Sequence, residues 1–153
     1  MIMRAARLLG ALSILGVGAV HLQQYGNGYS TVPTIGTLFL LNAISAGVVG
    51  FGLLLPLERL LGRRRGNAAV GALALAGVAI AVGSLIALFI SETGTLFGFS
   101  EGGYRTVIDI AIAVEALATV LLTPVAAVSI RRALEREPQR PRRQTGYAAS
   151  RSA

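Results

Sequence analysis

Cysteine, lysine and tryptophan are absent from the 153-residue sequence, and histidine occurs once. Because there is no cysteine, the chain has no disulfide, no thiolate nucleophile and no cysteine ligand for a metal ion. A single histidine binds zinc or haem only with help from carboxylates or a second subunit. The sequence also contains no nucleotide-binding loop, no dinucleotide-binding fingerprint and no recognised nucleophile motif. We therefore predict no catalytic residue and no metal site, and we leave the identity of any cofactor open.

Charged residues are also scarce, at 14% of the chain against about 25% in a typical soluble domain. Apolar residues are concentrated in four runs, at about 5–24, 34–57, 67–91 and 104–130. A helix of about 20 residues crosses the roughly 30 Å hydrocarbon core of a bilayer, so each run is long enough to span it. The sequence predicts an all-α protein: a four-helix transmembrane bundle in residues 1–130, multi-pass in the cell membrane, without a soluble domain.

All 14 basic residues are arginines, and the net charge is +7. The arginines cluster before the first run, in the second break and after the fourth run, whereas the first break carries no charge. By the positive-inside rule, both termini and the loop containing Arg63, Arg64 and Arg65 lie in the cytoplasm. These arginines are then expected to contact the anionic cytoplasmic leaflet rather than nucleic acid. We predict that residues 131–153 form a basic cytoplasmic tail that is largely disordered.

The beginnings of the first two spans carry local signals. Met1–Arg7 is basic, and the small residues at 17–19 resemble the cleavage site of a secretory signal peptide. We favour a first span that is retained in the protein, with a cleaved signal peptide as the alternative. Pro33 is expected to open the second span, because proline suits the first turn of a helix.

Glu115 is the sharpest functional candidate, because it lies close to the centre of the fourth run. An ionisable side chain at the bilayer midplane costs at least about 2.5 kcal/mol by insertion scales, so such residues usually face the protein interior and serve a function. The structural alternative is a neutral glutamic acid that donates one interhelical hydrogen bond. Asn42 lies at a similar depth in the second run, where its amide either pairs with a carboxyl group or simply joins two helices.

Asp109 and His21 lie nearer the predicted outer side. Asp109 precedes Glu115 by six residues, which is about 9 Å along a helix and about 120° around it. Arg105 is placed four residues before Asp109, an ideal spacing for an ion pair. His21, near the outer end of the first span, is suited to proton transfer or to capping that helix. Glu101, Arg105 and Tyr104 are secondary candidates.

Small residues spaced four apart occur in the second and third runs, for example in the pairs Ala43/Gly47 and Ala46/Gly50. Such pairs let helix backbones approach closely in lipid. They predict a tightly packed bundle, and they leave open a homo-oligomer or a membrane-protein partner.

Several strings resemble those of small, uncharacterised four-helix integral membrane proteins from high-GC actinobacteria: His21-Leu22, Tyr29, 32–42 and 96–101. The resemblance covers the four spans and excludes the tail. It implies the four-helix fold and the organism class, and it implies no activity. It draws attention to His21, Asn42 and Glu101, which fall within the matching strings.

The polar candidates all fall in the predicted outer half of the spans, which indicates a pocket that opens outward above a sealed inner half. We therefore expect binding or transport of a small molecule, a lipid or a cation, with protons linked to Glu115. An accessory or structural subunit of a larger membrane complex is the alternative. A membrane enzyme component that depends on quinone or haem is the third possibility, since the cofactor would then supply the chemistry.

Overall fold

The computed structural model describes residues 1–100 and 105–135. These residues form five helices and one 3-10 turn: α1 (Ile2–Gly26), the turn Tyr29–Thr31, α2 (Ile35–Leu54), the one-turn α3 (Leu57–Leu60), α4 (Arg63–Thr93) and α5 (Thr106–Leu134). Four of these helices, α1, α2, α4 and α5, are long and apolar enough to cross a membrane. The prediction of an all-α chain with four candidate spans is confirmed for this part of the chain.

Neighbouring long helices run antiparallel, as the close contacts at their glycines show. A Cβ atom added at Gly18 of α1 would lie 3.2 Å from the Cβ of Ala46, and one added at Gly50 of α2 would lie 2.5 Å from Leu15 Cγ. Residue numbers therefore increase along α1 in the direction in which they decrease along α2. The small-residue spacing predicted from the sequence brings these two backbones together, as expected for helices in lipid.

The same antiparallel arrangement joins α5 to α1 and to α4. Gly10 of α1 and Gly77 of α4 both pack against Leu122 of α5, and Gly71 of α4 packs against Ile130. Contacts between α2 and α4 complete a ring in the order α1, α2, α4, α5. Because consecutive helices alternate in direction, one end of the assembly carries the α1 N-terminus, α3 and the start of α4. We call this the arginine end, and the opposite end, with residues 27–34, residues 94–100 and Arg105, the loop end.

The apolar core lies toward the arginine end. Ile14, Leu53 and Leu122 are its largest fully buried apolar side chains, and Val17 and Val70 extend it. The first run therefore supplies Ile14 and Val17 to this core, and its retention in the protein stays a prediction.

Two predicted helix starts are wrong in detail. Pro33 lies outside α2, because the next residue, Thr34, has a φ of 66° and the helix begins only at Ile35. A β-branched residue rarely adopts this left-handed conformation, so the helix does not extend back through it. Arg63–Arg65 are the first turn of α4 rather than a loop, since α3 and the two residues after it form the connection. The predicted disordered tail lies, from residue 136 onward, outside the described residues.

Arginine side chains cap the C-terminal ends of α2 and α5 at the arginine end. Arg7 of α1 donates from Nε to the carbonyl of Leu53 at 2.7 Å, and it also donates to the carbonyl of Leu55. Its third partner is the carboxylate of Glu58, at 2.7 Å. Arg64 donates to the carbonyl of Ala133 at 3.2 Å. The last carbonyls of a helix have no partner within that helix, so these guanidinium groups satisfy acceptors that α2 and α5 leave open.

The Arg7–Glu58 pair predicts a pH dependence of stability. Burial raises the pKa of Glu58, but its own backbone N–H and the cations Arg7 and Arg4 outweigh this, and the pKa lies below its ordinary value of 4.5. A carboxylate whose pKa falls on folding stabilises the folded state above the unfolded pKa, and this contribution is lost as the pH falls through the folded pKa. We expect the thermal unfolding midpoint in detergent to decrease as the pH is lowered below about 4.5. This decrease is expected to be smaller in Glu58→Gln. Parallel curves for the two proteins would show that Glu58 carries no such contribution.

Candidate functional site

A cavity of about 380 Å³ lies among α1, α2, α4 and α5 at the loop end. Small-molecule sites usually enclose about 300–1,000 Å³, so this volume suits a small organic molecule. Most of the wall is apolar, with Val20, Ile35, Leu88 and Ile108 among its side chains. The close packing of Ile14, Leu53 and Leu122 described above leaves the cavity confined to one half of the helices.

Four polar side chains meet on the wall of this cavity, one from each long helix: His21, Asn42, Ser84 and Glu115. We call them the polar cluster. They lie five to nine residues from the loop-end terminus of their own helix. At about 1.5 Å per residue this is about 8–14 Å of helix. Because neighbouring helices are antiparallel, side chains from both ends of the sequence reach the same level.

A chain of hydrogen bonds links three of these side chains. His21 Nδ1 lies 2.9 Å from the carbonyl of Val17 and must donate to it, so Nε2 is the acceptor in the neutral ring. The hydroxyl of Ser84 donates to this Nε2 at 2.9 Å. Asn42 Nδ2 in turn donates to Ser84 Oγ at 3.3 Å. Ser84 therefore orients both the imidazole and the amide.

Glu115 is the fourth member of the polar cluster and adds acceptor oxygen atoms to it. Its Oε1 lies 3.9 Å from His21 Nε2, and the residue as a whole is 1% exposed. Two buried oxygens, Glu115 Oε2 and Asn42 Oδ1, have no hydrogen-bond partner within residues 1–100 and 105–135. Each buried polar group left unpaired costs about 1–3 kcal/mol. A ligand that donates hydrogen bonds to these two oxygens would offset this cost.

Aromatic rings cover the cavity at the loop end. The ring of Phe39 lies 5.1 Å from that of His21, and Tyr29 stacks on Phe39 at 4.6 Å. Phe99 meets Tyr29 edge to face at 5.6 Å, and Arg105 donates to the Tyr29 hydroxyl at 2.6 Å. We call Tyr29, Phe39, Phe99 and Arg105 the aromatic lid. Stacked and edge-to-face rings at these distances attract one another, so the lid is a defined cover.

A tight turn places Phe99 in this lid. Phe97 and Gly98 both have positive φ values, of 52° and 80°, and the backbones of Leu96 and Phe99 exchange two hydrogen bonds across them. Positive φ at both central residues is the geometry of the turns that reverse a chain within two residues, and glycine favours it. The turn folds the segment after α4 back over the cavity.

The structure brings together three of the four predicted site residues and separates the fourth. Glu115, Asn42 and His21 all belong to the polar cluster. Asp109 does not line the cavity and lies on an exposed face of α5. The rotation of about 120° that separates it from Glu115 turns one carboxylate outward when the other points inward. Of the secondary candidates, Arg105 belongs to the lid, while Glu101 and Tyr104 lie outside the described residues.

Ser84 is the site residue that sequence reasoning missed. A hydroxyl in a membrane helix costs little and is common, so nothing in the sequence distinguished Ser84 from the other serines and threonines. Thr119 shows the ordinary alternative, because its hydroxyl donates to the carbonyl of Glu115 one turn earlier in its own helix. Only the packing of α4 between α2 and α5 singles out Ser84.

Within residues 1–100 and 105–135, no group of three or more histidine, cysteine, aspartate or glutamate side chains is placed to hold one metal ion. His21 and Glu115 are a pair of potential ligands, and a metal ion there would need further ligands from another source.

Comparison of the chain with known protein families, with curated proteins and with solved structures found no match. The resemblance to small four-helix membrane proteins of actinobacteria therefore stays a prediction. The geometry of the cavity and of its polar cluster carries the functional argument.

Proposed function

We propose that the protein is a four-helix membrane bundle that binds a small, largely apolar molecule in the cavity described above. The observation that carries the proposal is the buried carboxyl group of Glu115 on the wall of a largely apolar cavity of about 380 Å³, with one oxygen that no described residue contacts by a hydrogen bond. An ionisable group at membrane depth is costly, and a bound polar group that pairs with it would offset this cost. Small-molecule sites share this combination of apolar walls and a few convergent polar groups.

The arginines support an orientation for the site. Arg4, Arg7, Arg59, Arg63 and Arg131 all lie at the arginine end of the helices. Under the positive-inside rule this end faces the cytoplasm, together with both termini. The cavity then lies in the outer half of the membrane, above an inner half closed by packed apolar side chains. We propose an outward-facing binding site, or one step of a transport cycle linked to proton uptake at Glu115.

Photolabelling tests this proposal. A short-chain alcohol carrying a photoreactive diazirine is expected to label cavity-lining peptides of α2 and α4 in the purified protein. Glu115→Gln should reduce this labelling about tenfold, because glutamine replaces one acceptor oxygen by an amide donor that the donor of the probe cannot satisfy. A buried polar group left unsatisfied costs about 1–3 kcal/mol, and about 1.4 kcal/mol corresponds to a factor of ten. Asp109→Asn removes a carboxylate from the exposed face of the same helix and is the matched control, with unchanged labelling.

Labelling confined to outward-facing side chains, with no difference between wild type and Glu115→Gln, would refute the proposal. Unfolding curves of each variant separate loss of binding from loss of folding. Native mass spectrometry from nanodiscs is the complementary measurement, since it detects a lipid, quinone or other molecule that the protein retains during purification.

One observation favours the alternative of an accessory subunit. Gly47 of α2 is half-buried, yet an added Cβ would meet no atom within 4 Å, whereas Gly18 and Gly50 are engaged by α2 and α1 respectively. A partner helix that packs against Gly47 would exploit this space. Under this alternative, Gly47→Leu abolishes co-purification of the partner and Glu115→Gln leaves it unchanged.

A further inference from the structure

The cavity meets the molecular surface along α2 and α4. Five of its lining residues on these helices are exposed: Leu38, Leu41, Ser45, Ala79 and Gly83. Leu41 is 54% exposed although it also lines the cavity. Lining residues from α1 are all buried or half-buried. The positions on α2 follow the three- and four-residue spacing of one helix face, so the cavity opens along that face.

The gap between α2 and α4 widens toward the loop end. Nearer the arginine end the two helices touch, since an added Cβ at Gly52 would lie 2.9 Å from Leu73 and one at Gly77 would lie 3.3 Å from Val49. At Gly83, further along α4, an added Cβ would meet nothing within 4 Å. The hydrogen bond from Asn42 to Ser84 crosses between the two helices at the level of Leu41 and Gly83. We call the opening beside Leu41 and Gly83 the portal.

The portal and the aromatic lid face different surroundings. The lid covers the loop end, where the chain leaves the helices. The portal lies along the sides of α2 and α4, within segments that are apolar and long enough to lie in the hydrocarbon core. A molecule that passes through the portal therefore comes from the bilayer and not from water.

The polar cluster restricts the head group of that molecule. The hydroxyl proton of Ser84 is donated to His21, and one amide proton of Asn42 is donated to Ser84. Two buried oxygens of the polar cluster, Asn42 Oδ1 and Glu115 Oε2, have no hydrogen-bond partner among the described residues. A head group that donates hydrogen bonds satisfies them. An anionic head brings only further acceptors and a charge that must be buried, so it is disfavoured.

We infer that the cavity takes up, from the outer leaflet, a long-chain amphiphile whose hydroxyl or primary amine head donates to Asn42 and Glu115 while its hydrocarbon chain leaves through the portal. This inference rests on the proposed function and adds to it the ligand class and the route of entry. Ala79, Gly83 and Leu41 are small or apolar, so the hydrocarbon chain of the ligand can pass between the two helices without meeting a polar group.

Three long-chain diazirine probes test the head group: a primary alcohol, the corresponding primary amine and the methyl ether of the alcohol. The ether has the same chain and no donor. We expect the alcohol or the amine to label cavity peptides at least tenfold more strongly than the ether. Equal labelling by all three would overturn the assignment of a donating head. The relative labelling by alcohol and amine identifies which of the two donors the site prefers.

A cross-link across the portal tests the route. The chain has no cysteine, so Leu41→Cys with Gly83→Cys adds the only two thiols, and a short bis-maleimide joins them. Labelling by the preferred long-chain probe is expected to fall about tenfold after cross-linking, measured on the same folded sample before and after the reaction. Gly83→Leu should reduce labelling by the long-chain probe to a similar extent. Gly47→Leu should leave this labelling unchanged, because Gly47 has open space above it like Gly83 but does not line the cavity.

The outcomes separate the two proposals. If the short-chain alcohol labels the cavity but the portal cross-link leaves long-chain labelling unchanged, entry from the bilayer is wrong and the proposed function stands. If the short-chain alcohol fails to label the cavity of the wild-type protein, the proposed function itself is wrong.

Discussion

Replacing Gly66 with alanine is expected to destabilise the protein by about 3 kcal/mol, near the upper end of the usual cost of overpacking. The added methyl group would lie 2.6 Å from the backbone nitrogen of Glu58 and would also clash with its Cα and with the carbonyl of Leu57. These atoms belong to the backbone of α3, which has only four residues, so rotation of a side chain does not relieve the clash. Relief of the clash therefore requires α3 to move away from α4.

The measurement is the loss of helical circular dichroism with heat or with denaturing detergent. Gly47→Ala is the matched control, because Gly47 also lies inside a helix and has open space above it. Alanine at that position is expected to be neutral or to stabilise by up to about 1 kcal/mol through its higher helix propensity. Equal unfolding midpoints for the two variants would show that α3 is not held against α4 as described.

Arg7→Met is expected to lower the free energy of unfolding by about 1–3 kcal/mol, because it leaves the partly buried carbonyl of Leu53 without a donor. Methionine keeps much of the aliphatic volume of arginine and removes the guanidinium group that Leu53, Leu55 and Glu58 share. Loss of the ion pair adds to this effect, but only modestly, because the Glu58 side chain is 37% exposed.

Arg4→Met is the control for Arg7→Met, since it removes the same charge from an exposed position of the same helix. Combining Arg7→Met with Glu58→Gln in a double-mutant cycle separates the ion pair from the carbonyl contacts. If Arg7→Met and Arg4→Met destabilise equally, the effect is one of net charge, and the capping of α2 by Arg7 contributes nothing measurable.

The four long helices and most of the polar cluster were predictable from the sequence for one physical reason. Hydrocarbon has no water to satisfy polar groups, so apolar runs of sufficient length mark the spans and the few polar residues inside them stand out. Glu115, Asn42 and His21 were identified in this way. The sequence also placed Asn42 and Glu115 at a similar depth, but it placed His21 nearer the outer side, at about the depth of Asp109.

Features that depend on rotation about a helix axis were harder to predict. Asp109 and Glu115 lie on the same helix, and both are carboxylates in an apolar run. The sequence placed them about 120° apart without fixing which one faces inward. Packing of α5 against α1 and α4 decided this by burying Glu115 and leaving Asp109 exposed.

Composition and the spacing of charged and apolar residues determined by themselves that this chain is helical and able to cross a membrane four times, and they selected three residues that belong to one site. The tertiary structure alone decided that Ser84 joins those three residues, that Arg7 closes the end of α2, and that α2 and α4 separate beside Gly83. The reason is that hydropathy is a property of each residue type, whereas these three features depend on which residues of other helices each side chain contacts.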